Sequence, residues 1–230
     1  MQAPQLPTSQ VEQPKESRFS PYQNNGGTCL ALAGADFCII AADSRLSLGY
    51  SILSRNTPKV AQLTTKTCIA SSGCNADMVT LQKYLKFKIQ MYLHQHGKEM
   101  STPAVAQMLA TTLYHRRFFP YYTFNIVGGL DQNGEGCVFS YDAIGCFERL
   151  KYTVSGSGHA LIEPFLDNLV AYKNTDNKPT IERSCDETLE LVKDIFSSAG
   201  ERDIYTGDFV DIYIIDKNGT RYEQFPLKKD

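Results

Sequence analysis

The stretch GGTCLALAGADFCIIAADSR, residues 26–45, decides how the rest of the chain can be arranged. Two apolar runs, at 29–33 and 37–42, are separated by a short turn at 34–36 that contains glycine and aspartate. Short apolar runs divided by such a turn are typical of a β-hairpin. The second run is almost continuously apolar, as in a strand whose two faces are both covered. The sequence therefore predicts a buried strand pair that ends at Asp43.

Hydrophobic periodicity beyond this strand pair predicts further strands and four helices. Apolar runs predict strands at residues 60–63, 67–70, 122–130, 136–141, 147–154, 209–215 and 220–225. Apolar residues at helical spacing predict helices from residue 75 to near 97, from Ser101 onward, at 159–172 and at 184–199. Residues 44–59 are polar and rich in turn formers, which disfavours regular structure there. This order of strands and helices is typical of an α+β domain built from layers.

The length and composition fit one folded domain without a nucleic-acid or membrane partner. The chain has 230 residues, of which 42% are hydrophobic, so it can bury roughly 70–75% of its unfolded surface. A net charge of −2 provides no electrostatic footprint for nucleic acid or an anionic membrane. No run reaches the ~18 apolar residues of a spanning helix, and no secretory segment follows Met1.

The cysteines argue against a disulfide framework and against a metal site. There are seven, an odd number, and no two of them have the Cys-x-x-Cys spacing. Most lie in strand-like runs, where a cysteine behaves as a small buried hydrophobic residue. We therefore predict reduced thiols, a reducing compartment, and neither a metal nor a cofactor.

The first seventeen residues differ in composition from the rest of the chain. Residues 1–17 are rich in glutamine, proline and serine and contain few apolar residues, so we predict that they are disordered. Residues 18–230 are predicted to form a single domain. Near its carboxyl-terminal end, Ser184 is followed three residues later by Glu187, which predicts a capping box at the start of a helix.

The opening stretch resembles the first strand pair of the β-type proteasome subunits, which are N-terminal-nucleophile hydrolases. The resemblance implies a four-layer αββα sandwich of two antiparallel sheets flanked by helices. In this family a threonine freed by self-cleavage after a glycine supplies a hydroxyl nucleophile and an α-amino base. An aspartate follows that threonine by sixteen residues, and a lysine follows the aspartate by sixteen. Here Asp43 and Lys59 keep the second interval, but the residue sixteen before Asp43 is Gly27.

The resemblance continues to the carboxyl terminus and implies further site residues. Gly73 falls where the family uses a glycine amide to receive an oxyanion, and Ser157 falls on the family's site serine. The sequence from Glu201 matches the family's Arg-Asp-x-x-Ser-Gly motif through Asp203, with Thr206 in place of the serine. Together with Gly27, Asp43 and Lys59, these residues would form a vestigial active site without a catalytic residue of its own.

Several short motifs resemble a non-catalytic member of the β-subunit family. They are FSPY, GGT, RRFFPYY and GGLD. The resemblance implies a structural subunit of the 20S core particle, which supports ATP- and ubiquitin-dependent protein degradation in the cytoplasm and nucleus. Its partners would be other β subunits in a heptameric ring, the opposite β ring, the α ring and the protein substrates of the particle. The residues up to Ser17 would be a processed prosegment.

An active threonine peptidase is the alternative, because Gly27 and Thr28 copy the family's cleavage dipeptide. Autolysis there would make Thr28 the nucleophile. Side chains alternate between the two faces of a strand, so residues 27 and 28 point to opposite faces. The even intervals to Asp43 and Lys59 suit residue 27, and only a β-bulge would shift the register to Thr28.

Two other features have more than one interpretation. Asp142 follows a predicted strand at a sheet rim, and the resemblance implies that it lines the substrate channel of a neighbouring subunit. It could equally cap the turn that follows it. The aromatic and basic run RRFFPYY, residues 116–122, is either a helix end that packs into the core or a contact with another subunit.

Overall fold

The computed structural model describes residues 19–173, 176 and 183–230. The predicted disordered head, residues 1–17, lies outside the described residues. In chain order the elements are β1 (Thr28–Ala33), β2 (Cys38–Asp43), β3 (Leu46–Leu48), β4 (Ser51–Ser54), β5 (Val60–Thr64), β6 (Thr67–Gly73), α1 (Asn75–His96), α2 (Thr102–Tyr114), β7 (Thr123–Leu130), β8 (Gly136–Tyr141), β9 (Phe147–Leu150), β10 (Tyr152–Gly156), α3 (His159–Leu169), α4 (Cys185–Gly200), β11 (Phe209–Asp216) and β12 (Gly219–Pro226).

Two five-stranded antiparallel sheets face each other, and a pair of helices covers the outer side of each. Sheet I has the strand order β10-β1-β2-β11-β12, and sheet II has the order β5-β6-β7-β8-β9. Helices α3 and α4 pack on sheet I, while α1 and α2 pack on sheet II. This arrangement confirms the predicted four-layer αββα sandwich.

The first strand pair lies at the centre of the sandwich because both of its faces are covered. Leu30 of β1 and Ile39 of β2 pack against the α3–α4 layer. Cys29 and Ile40, one residue along each strand, pack against sheet II. Alternate side chains of a strand enter opposite layers, so a continuously apolar run fills both. The strand pair predicted from residues 26–45 is confirmed.

The cysteines lie where the sequence predicts. All seven are free, and five of them are buried. Burial raises the pKa of the thiols of Cys29 and Cys68 to about 12, which keeps both protonated. Thiols in this state are packing groups and not nucleophiles.

The capping box predicted at the start of α4 is present. The Ser184 side chain accepts a hydrogen bond from the backbone N–H of Glu187, and the Glu187 carboxylate accepts one from the backbone N–H of Ser184. These bonds satisfy two of the donors that every helix leaves unpaired at its amino end. Ser101 occupies the N-cap position of α2 as expected, although its side chain makes no capping hydrogen bond.

Three predicted elements differ from the structure. The single strand predicted at 147–154 is two strands: β9 pairs with β8 in sheet II, whereas β10 pairs with β1 in sheet I. Exposed Lys151 separates them, and the chain crosses between the sheets there. An apolar pattern records burial and carries no information about which sheet a strand joins.

The segment predicted to be irregular, 44–59, contains the short hairpin β3–β4. Its turn includes Gly49, whose φ of +57° suits glycine. The hairpin exposes Leu48, Tyr50 and Leu53, so it lacks the buried face on which the strand prediction depends. The third difference is α3, which ends at Leu169 and not at residue 172.

Candidate functional site

The end of β2 positions a fully buried carboxylate. Asp43 Oδ1 accepts a hydrogen bond from the Thr28 amide at 2.7 Å, and Oδ2 accepts one from the Arg45 amide at 3.1 Å. Lys59 Nζ lies 3.3 Å from Oδ1. Burial raises the pKa of the Asp43 carboxyl, and the Lys59 ammonium and the two amides oppose that rise. The carboxylate therefore depends on these three partners.

The Lys59 ammonium is also buried, and it is saturated with acceptors. Besides Asp43 Oδ1, its Nζ donates to the carbonyl oxygens of Asp43 at 2.8 Å and Arg45 at 2.6 Å. An ammonium has three donor protons, and three oxygens are in place to receive them. Lys59 thus ties the end of β2 to the start of β5.

Residue 27 faces this ion pair but has no side chain. A Cβ atom built on Gly27 would lie 2.3 Å from Lys59 Cε, 2.9 Å from Lys59 Nζ and 3.0 Å from Asp43 Oδ1. The φ of Gly27 is +88°, a conformation that other residues rarely adopt. The lysine side chain therefore fills the space into which a side chain at position 27 would project.

The Thr28 side chain points away from Lys59. Its Oγ1 lies 2.7 Å from Thr206 Oγ1 and accepts a hydrogen bond from the Gly158 amide at 2.9 Å. The residue is fully buried, on the side of β1 that faces the α3–α4 layer. In this position the hydroxyl joins β1 to the start of α3, and among the described residues its hydrogen-bond partners are the Thr206 hydroxyl and the Gly158 amide.

The serine, aspartate and threonine predicted from the later motifs lie together beside Gly27. Asp203 Oδ2 accepts hydrogen bonds from Ser157 Oγ and Thr206 Oγ1, both at 2.6 Å. The Ser157 amide donates to the Gly27 carbonyl oxygen at 3.0 Å. The loop after β10 and the loop before β11 thus meet over residue 27.

The residues before Gly27 cross the mouth of the site, and we call Tyr22–Gly26 the strap. The Asn25 amide donates to the Gly73 carbonyl oxygen at 2.9 Å, and its Nδ2 donates to the Ser47 carbonyl oxygen at 3.0 Å. Its Oδ1 accepts from the Asn75 amide at 2.9 Å. Asn25 is therefore held between β3, the end of β6 and the first residue of α1.

Aromatic side chains fix the other end of the strap. The Tyr22 ring stacks on Phe119 and on Tyr122, with ring centroids 5.6 and 5.4 Å apart. Its hydroxyl donates to the Pro120 carbonyl oxygen at 2.7 Å. Both ends of the strap are therefore attached to the domain.

A cleft of about 660 Å³ opens beside the strap. Gly26 and Gly73 line it, and six of its fourteen lining residues carry a hydroxyl group. They are Ser72, Ser140, Tyr141, Ser155, Ser157 and Tyr205. None of the described residues that line the cleft is a lysine, an arginine or a carboxylate, but His159 and the apolar Phe124 and Val154 are among them, so the lining is of mixed character.

Asp142 lies apart from these residues, directly after β8, and is exposed. Its Oδ1 accepts hydrogen bonds from the amides of Ile144 at 3.0 Å and Cys146 at 2.8 Å. The residue therefore caps the turn after β8, which was one of the two interpretations. Tyr141, its neighbour in sequence, lines the cleft.

A buried ion cluster that the sequence did not predict lies next to the site. Asp208 is buried and accepts from Arg45 Nε at 2.8 Å and from Arg55. Burial would raise the pKa of Asp208, but the hydrogen bonds from the two arginines outweigh it and hold the pKa below its usual value. Asp208 also has a φ of +71°. An acid directly before a predicted strand was the only signal in the sequence.

Two classes of feature have no representative in the described part of the chain. No group of three or more histidine, cysteine, aspartate or glutamate side chains is placed to hold a metal ion. Among residues 19–173, 176 and 183–230, no helix has the length and apolar character that crossing a bilayer requires.

Comparison with known proteins assigns the chain to a family. The family model described as Proteasome subunit matches residues 23–215. The chain is 52% identical over 223 residues to the protein from Arabidopsis thaliana named Proteasome subunit beta type-1, covering 94% of this chain and 99% of that protein. It is 52% identical over 231 residues to the protein of the same name from Dictyostelium discoideum, covering 98% of this chain and 97% of that protein.

A more distant relative has a different name. The chain is 40% identical over 226 residues to Proteasome subunit beta type-6 of Saccharomyces cerevisiae, covering 94% of each. The chain belongs to the proteasome subunit family, and the resemblance identified from the sequence is confirmed.

Proposed function

We propose that the chain is a structural, non-catalytic β subunit of the proteasome core, similar to its relatives named beta type-1. The observation that carries the proposal is the position of the Lys59 side chain. Its Cε lies 2.3 Å from the point where a Cβ on residue 27 would stand. A peptidase of this family would need a threonine there, whose hydroxyl attacks and whose α-amine removes the proton.

The geometry of Thr28 disfavours the alternative, an active peptidase formed by autolysis. Its hydroxyl is fully buried and is paired with Thr206 and Gly158. A nucleophile must reach both its base and the bond that it attacks. After autolysis the α-amine of Thr28 would be the base, but the fully buried hydroxyl does not reach a peptide bond in a substrate.

The strap gives independent support. A freed amino terminus at residue 27 would require loss of the strap, since the strap precedes residue 27 in the chain. Asn25 makes hydrogen bonds to three separate elements, and Tyr22 stacks between two aromatic rings. These contacts favour a chain that retains the strap as part of its fold.

The remaining members of the site would then be structural. Asp43, Lys59, Ser157, Asp203 and Thr206 hold the ends of β1, β2, β5 and β10 together through hydrogen bonds, of which those made by Asp43 and Lys59 are buried. Breaking a buried ion pair by removing one member costs about 3–5 kcal/mol. Stability alone is therefore a sufficient reason for such a set of residues, including Gly73 at the edge of the cleft, to persist without catalysis.

The proposal extends to partners and processing. As in the family, the chain would assemble with six other β subunits in a ring, with the opposite β ring and with the α ring. It would act on protein substrates only through the particle, in the cytoplasm and nucleus. Residues 1–17 would be a prosegment removed by a neighbouring active subunit, which would leave Arg18 near the mature terminus.

Reaction with a threonine-directed epoxyketone tests the proposal. Such an inhibitor needs both a free α-amine and a hydroxyl on the same threonine, so it should label the catalytic subunits of purified particles and leave this chain unmodified. The catalytic subunits serve as the internal positive control. A covalent adduct on this chain, mapped by mass spectrometry to Thr28, would replace the structural function with the peptidase alternative.

A further inference from the structure

The dipeptide Asn-Gly occurs at residues 25–26, 133–134 and 218–219. An asparagine that precedes glycine is prone to lose its side-chain amide, because glycine has no Cβ to shield its backbone nitrogen. That nitrogen can attack the asparagine Cγ and displace ammonia. The reaction needs a side chain that can turn toward the next residue and room for a ring to form. The surroundings of each pair therefore decide whether it reacts.

The first pair, in the strap, is held in place. Asn25 is 8% exposed. Its Nδ2 donates to the Ser47 carbonyl oxygen and its Oδ1 accepts from the Asn75 amide, so both ends of the side chain are engaged. The backbone nitrogen that would attack, that of Gly26, donates to Asn24 Oδ1 at 3.0 Å. Ring closure at Asn25 would require all three hydrogen bonds to break.

The other two pairs lie on exposed turns, with Asn133 between β7 and β8 and Asn218 between β11 and β12. Each asparagine donates its backbone amide to the aspartate two residues earlier, at 2.9 and 2.7 Å. Neither side-chain amide has a hydrogen-bond partner among the described residues. Beyond the adjacent residues, no described atom lies within 4 Å of a Cβ built on Gly134 or Gly219. Both asparagine side chains are therefore free to turn.

One hydrogen bond opposes the reaction at the first of these turns. The Gly134 amide donates to the Asp131 carbonyl oxygen at 3.2 Å. That distance is at the long end of the range for such a bond, and the turn is exposed, so water can replace the carbonyl oxygen when the amide turns away. The turn at Asn133 is thus much less restrained than the strap.

We propose that Asn133 and Asn218 are sites of spontaneous deamidation, at which the chain accumulates isoaspartate as it ages. The glycine nitrogen gives up its proton to water and forms a bond to the asparagine Cγ. The bond from Cγ to Nδ2 breaks, and the nitrogen takes up a proton and leaves as ammonia. Water then opens the resulting five-membered imide at one of its two carbonyl groups. One opening gives aspartate and the other gives isoaspartate, and water is the only co-reactant.

The products change both turns. Each adds a carboxylate, and isoaspartate also adds one atom to the backbone between two paired strands. In the turn after β11, Asp216 is paired with Gly219, so the extra atom falls where the hairpin closes. Strand register depends on the length of such a turn. Isoaspartate is the group that isoaspartate-specific methyltransferases esterify with S-adenosylmethionine, so an enzyme of that class is the expected partner of the aged chain.

Comparison of the folded and the unfolded chain tests the proposal, because the sequence around each pair is the same in both states. Peptide mapping of aged, purified particles should show conversion of Asn133 and Asn218 at least roughly tenfold faster than that of Asn25, since only Asn25 must first break several hydrogen bonds. In the full chain kept in denaturant, the rates should agree within a few fold. Equal protection of all three asparagines in the particle would overturn the proposal.

Glutamine provides the matched variants, because it keeps the amide but its extra methylene would require a six-membered ring, which closes far more slowly. Asn133→Gln and Asn218→Gln should each abolish the conversion of amide to acid at their own turn and leave the other turn unchanged. Conversion that persists at the substituted turn would show that the amide is lost by another route. That result would overturn the proposal.

Isoaspartate itself is measured with a purified isoaspartate methyltransferase and labelled S-adenosylmethionine, which leave ordinary aspartate unmodified. Methyl incorporation should rise as folded particles age, map to the peptides that contain residues 133 and 218, and disappear in the double glutamine variant. Incorporation that is unchanged in the double variant would contradict the proposal, as would deamidation that yields aspartate alone. These measurements do not depend on whether the site at Gly27 is inactive, so they and the inhibitor test can fail separately.

Discussion

At the scale of single residues, the position of the Lys59 side chain depends on the absence of a side chain at Gly27. The lysine methylene lies where a Cβ on residue 27 would stand, and its ammonium is bound by three oxygens. Any residue larger than glycine would have to displace a buried, fully paired ammonium. The absence of a side chain at residue 27 is therefore a requirement of the packing around Lys59 in this chain.

This requirement predicts the effect of Gly27→Ala. The variant should lose about 2–4 kcal/mol of unfolding free energy, since it combines a positive φ with overpacking against Lys59. Gly49→Ala is the matched control, because Gly49 also has a positive φ but no atom of the described residues lies within 4 Å of the position that the new methyl group would occupy. Denaturant unfolding of the full chain should show a clearly smaller loss for Gly49→Ala. Equal losses would mean that Lys59 moves aside without cost.

Asp208 predicts a pH dependence of stability. Its pKa is lower in the folded chain than its ordinary value of 3.8. A group with a depressed folded pKa stabilises the fold above its unfolded pKa, and the stabilisation is lost as the pH falls toward the folded pKa. Asp208→Asn should therefore cost about 3 kcal/mol at neutral pH, by loss of a buried ion pair.

The loss of unfolding free energy caused by Asp208→Asn should shrink as the pH falls below about 4. In that range the carboxyl of the unfolded chain becomes protonated before the carboxyl of the folded chain does. Asparagine tolerates the positive φ, but its amide nitrogen replaces one of the two acceptor oxygens, so the substitution removes the charge and one of the arginine hydrogen bonds. Unfolding curves of the variant and the unmodified chain between neutral pH and pH 3 measure the difference. A cost that does not vary with pH would show that the hydrogen bonds matter and the charge does not.

At the scale of elements, the strap is the segment whose contacts bear most directly on the proposed function. Its amino end depends on the stack of Tyr22 with Phe119 and Tyr122, and its carboxyl end depends on Asn25. Neither contact could be predicted from the sequence. Both contacts join residues that are far apart in the chain. They are made by backbone groups or by aromatic rings, and no local sequence pattern indicates which residues will pair.

Tyr22 predicts how firmly the strap is held. Tyr22→Ala removes both stacked pairs and should raise amide hydrogen exchange at residues 24–26 by roughly tenfold or more, since aromatic pairs contribute about 0.5–1.5 kcal/mol each beyond burial. Tyr22→Phe keeps the rings and removes only the hydrogen bond to Pro120, so exchange should rise much less. If both variants exchange like the unmodified chain, Asn25 holds the strap alone.

The predictable elements are those with a local signal. Strands β1 and β2 follow from two apolar runs and a turn, and the capping box of α4 follows from a serine and a glutamate at the required spacing. The division between β9 and β10 had no such signal, because sheet membership depends on distant partners. Asp43 and Lys59 were found from their interval in a resembling family, whereas Asp208 and Asn25 were missed.

At the scale of the whole molecule, we propose that Asp142, in the turn after β8, contacts a substrate bound to a neighbouring subunit. It caps its turn through Oδ1 and is exposed, which leaves it able to meet a ligand bound to a neighbouring subunit. The turn-capping contact and the proposed contact with a neighbour's substrate are compatible.

Asp142→Asn tests that contact. Asparagine can keep both turn hydrogen bonds through its carbonyl oxygen but loses the charge. One charge-assisted hydrogen bond is worth about 1.5–3 kcal/mol, so particles with this variant should bind peptides that have a donor at that point about tenfold more weakly at one adjacent active subunit. Asp131→Asn, which alters another turn-capping aspartate, is the control. Equal loss at all active subunits would indicate damage to the ring instead.

The mature amino terminus of this chain tests the central claim most directly. Intact-mass measurement of the chain from purified particles determines where it begins. We predict a mass that retains the strap, Tyr22–Gly26, ahead of Gly27, with the terminus near Arg18. A mass that begins at Thr28 would mean that the strap is removed and an α-amine is freed beside a hydroxyl. That result would contradict the structural, non-catalytic function.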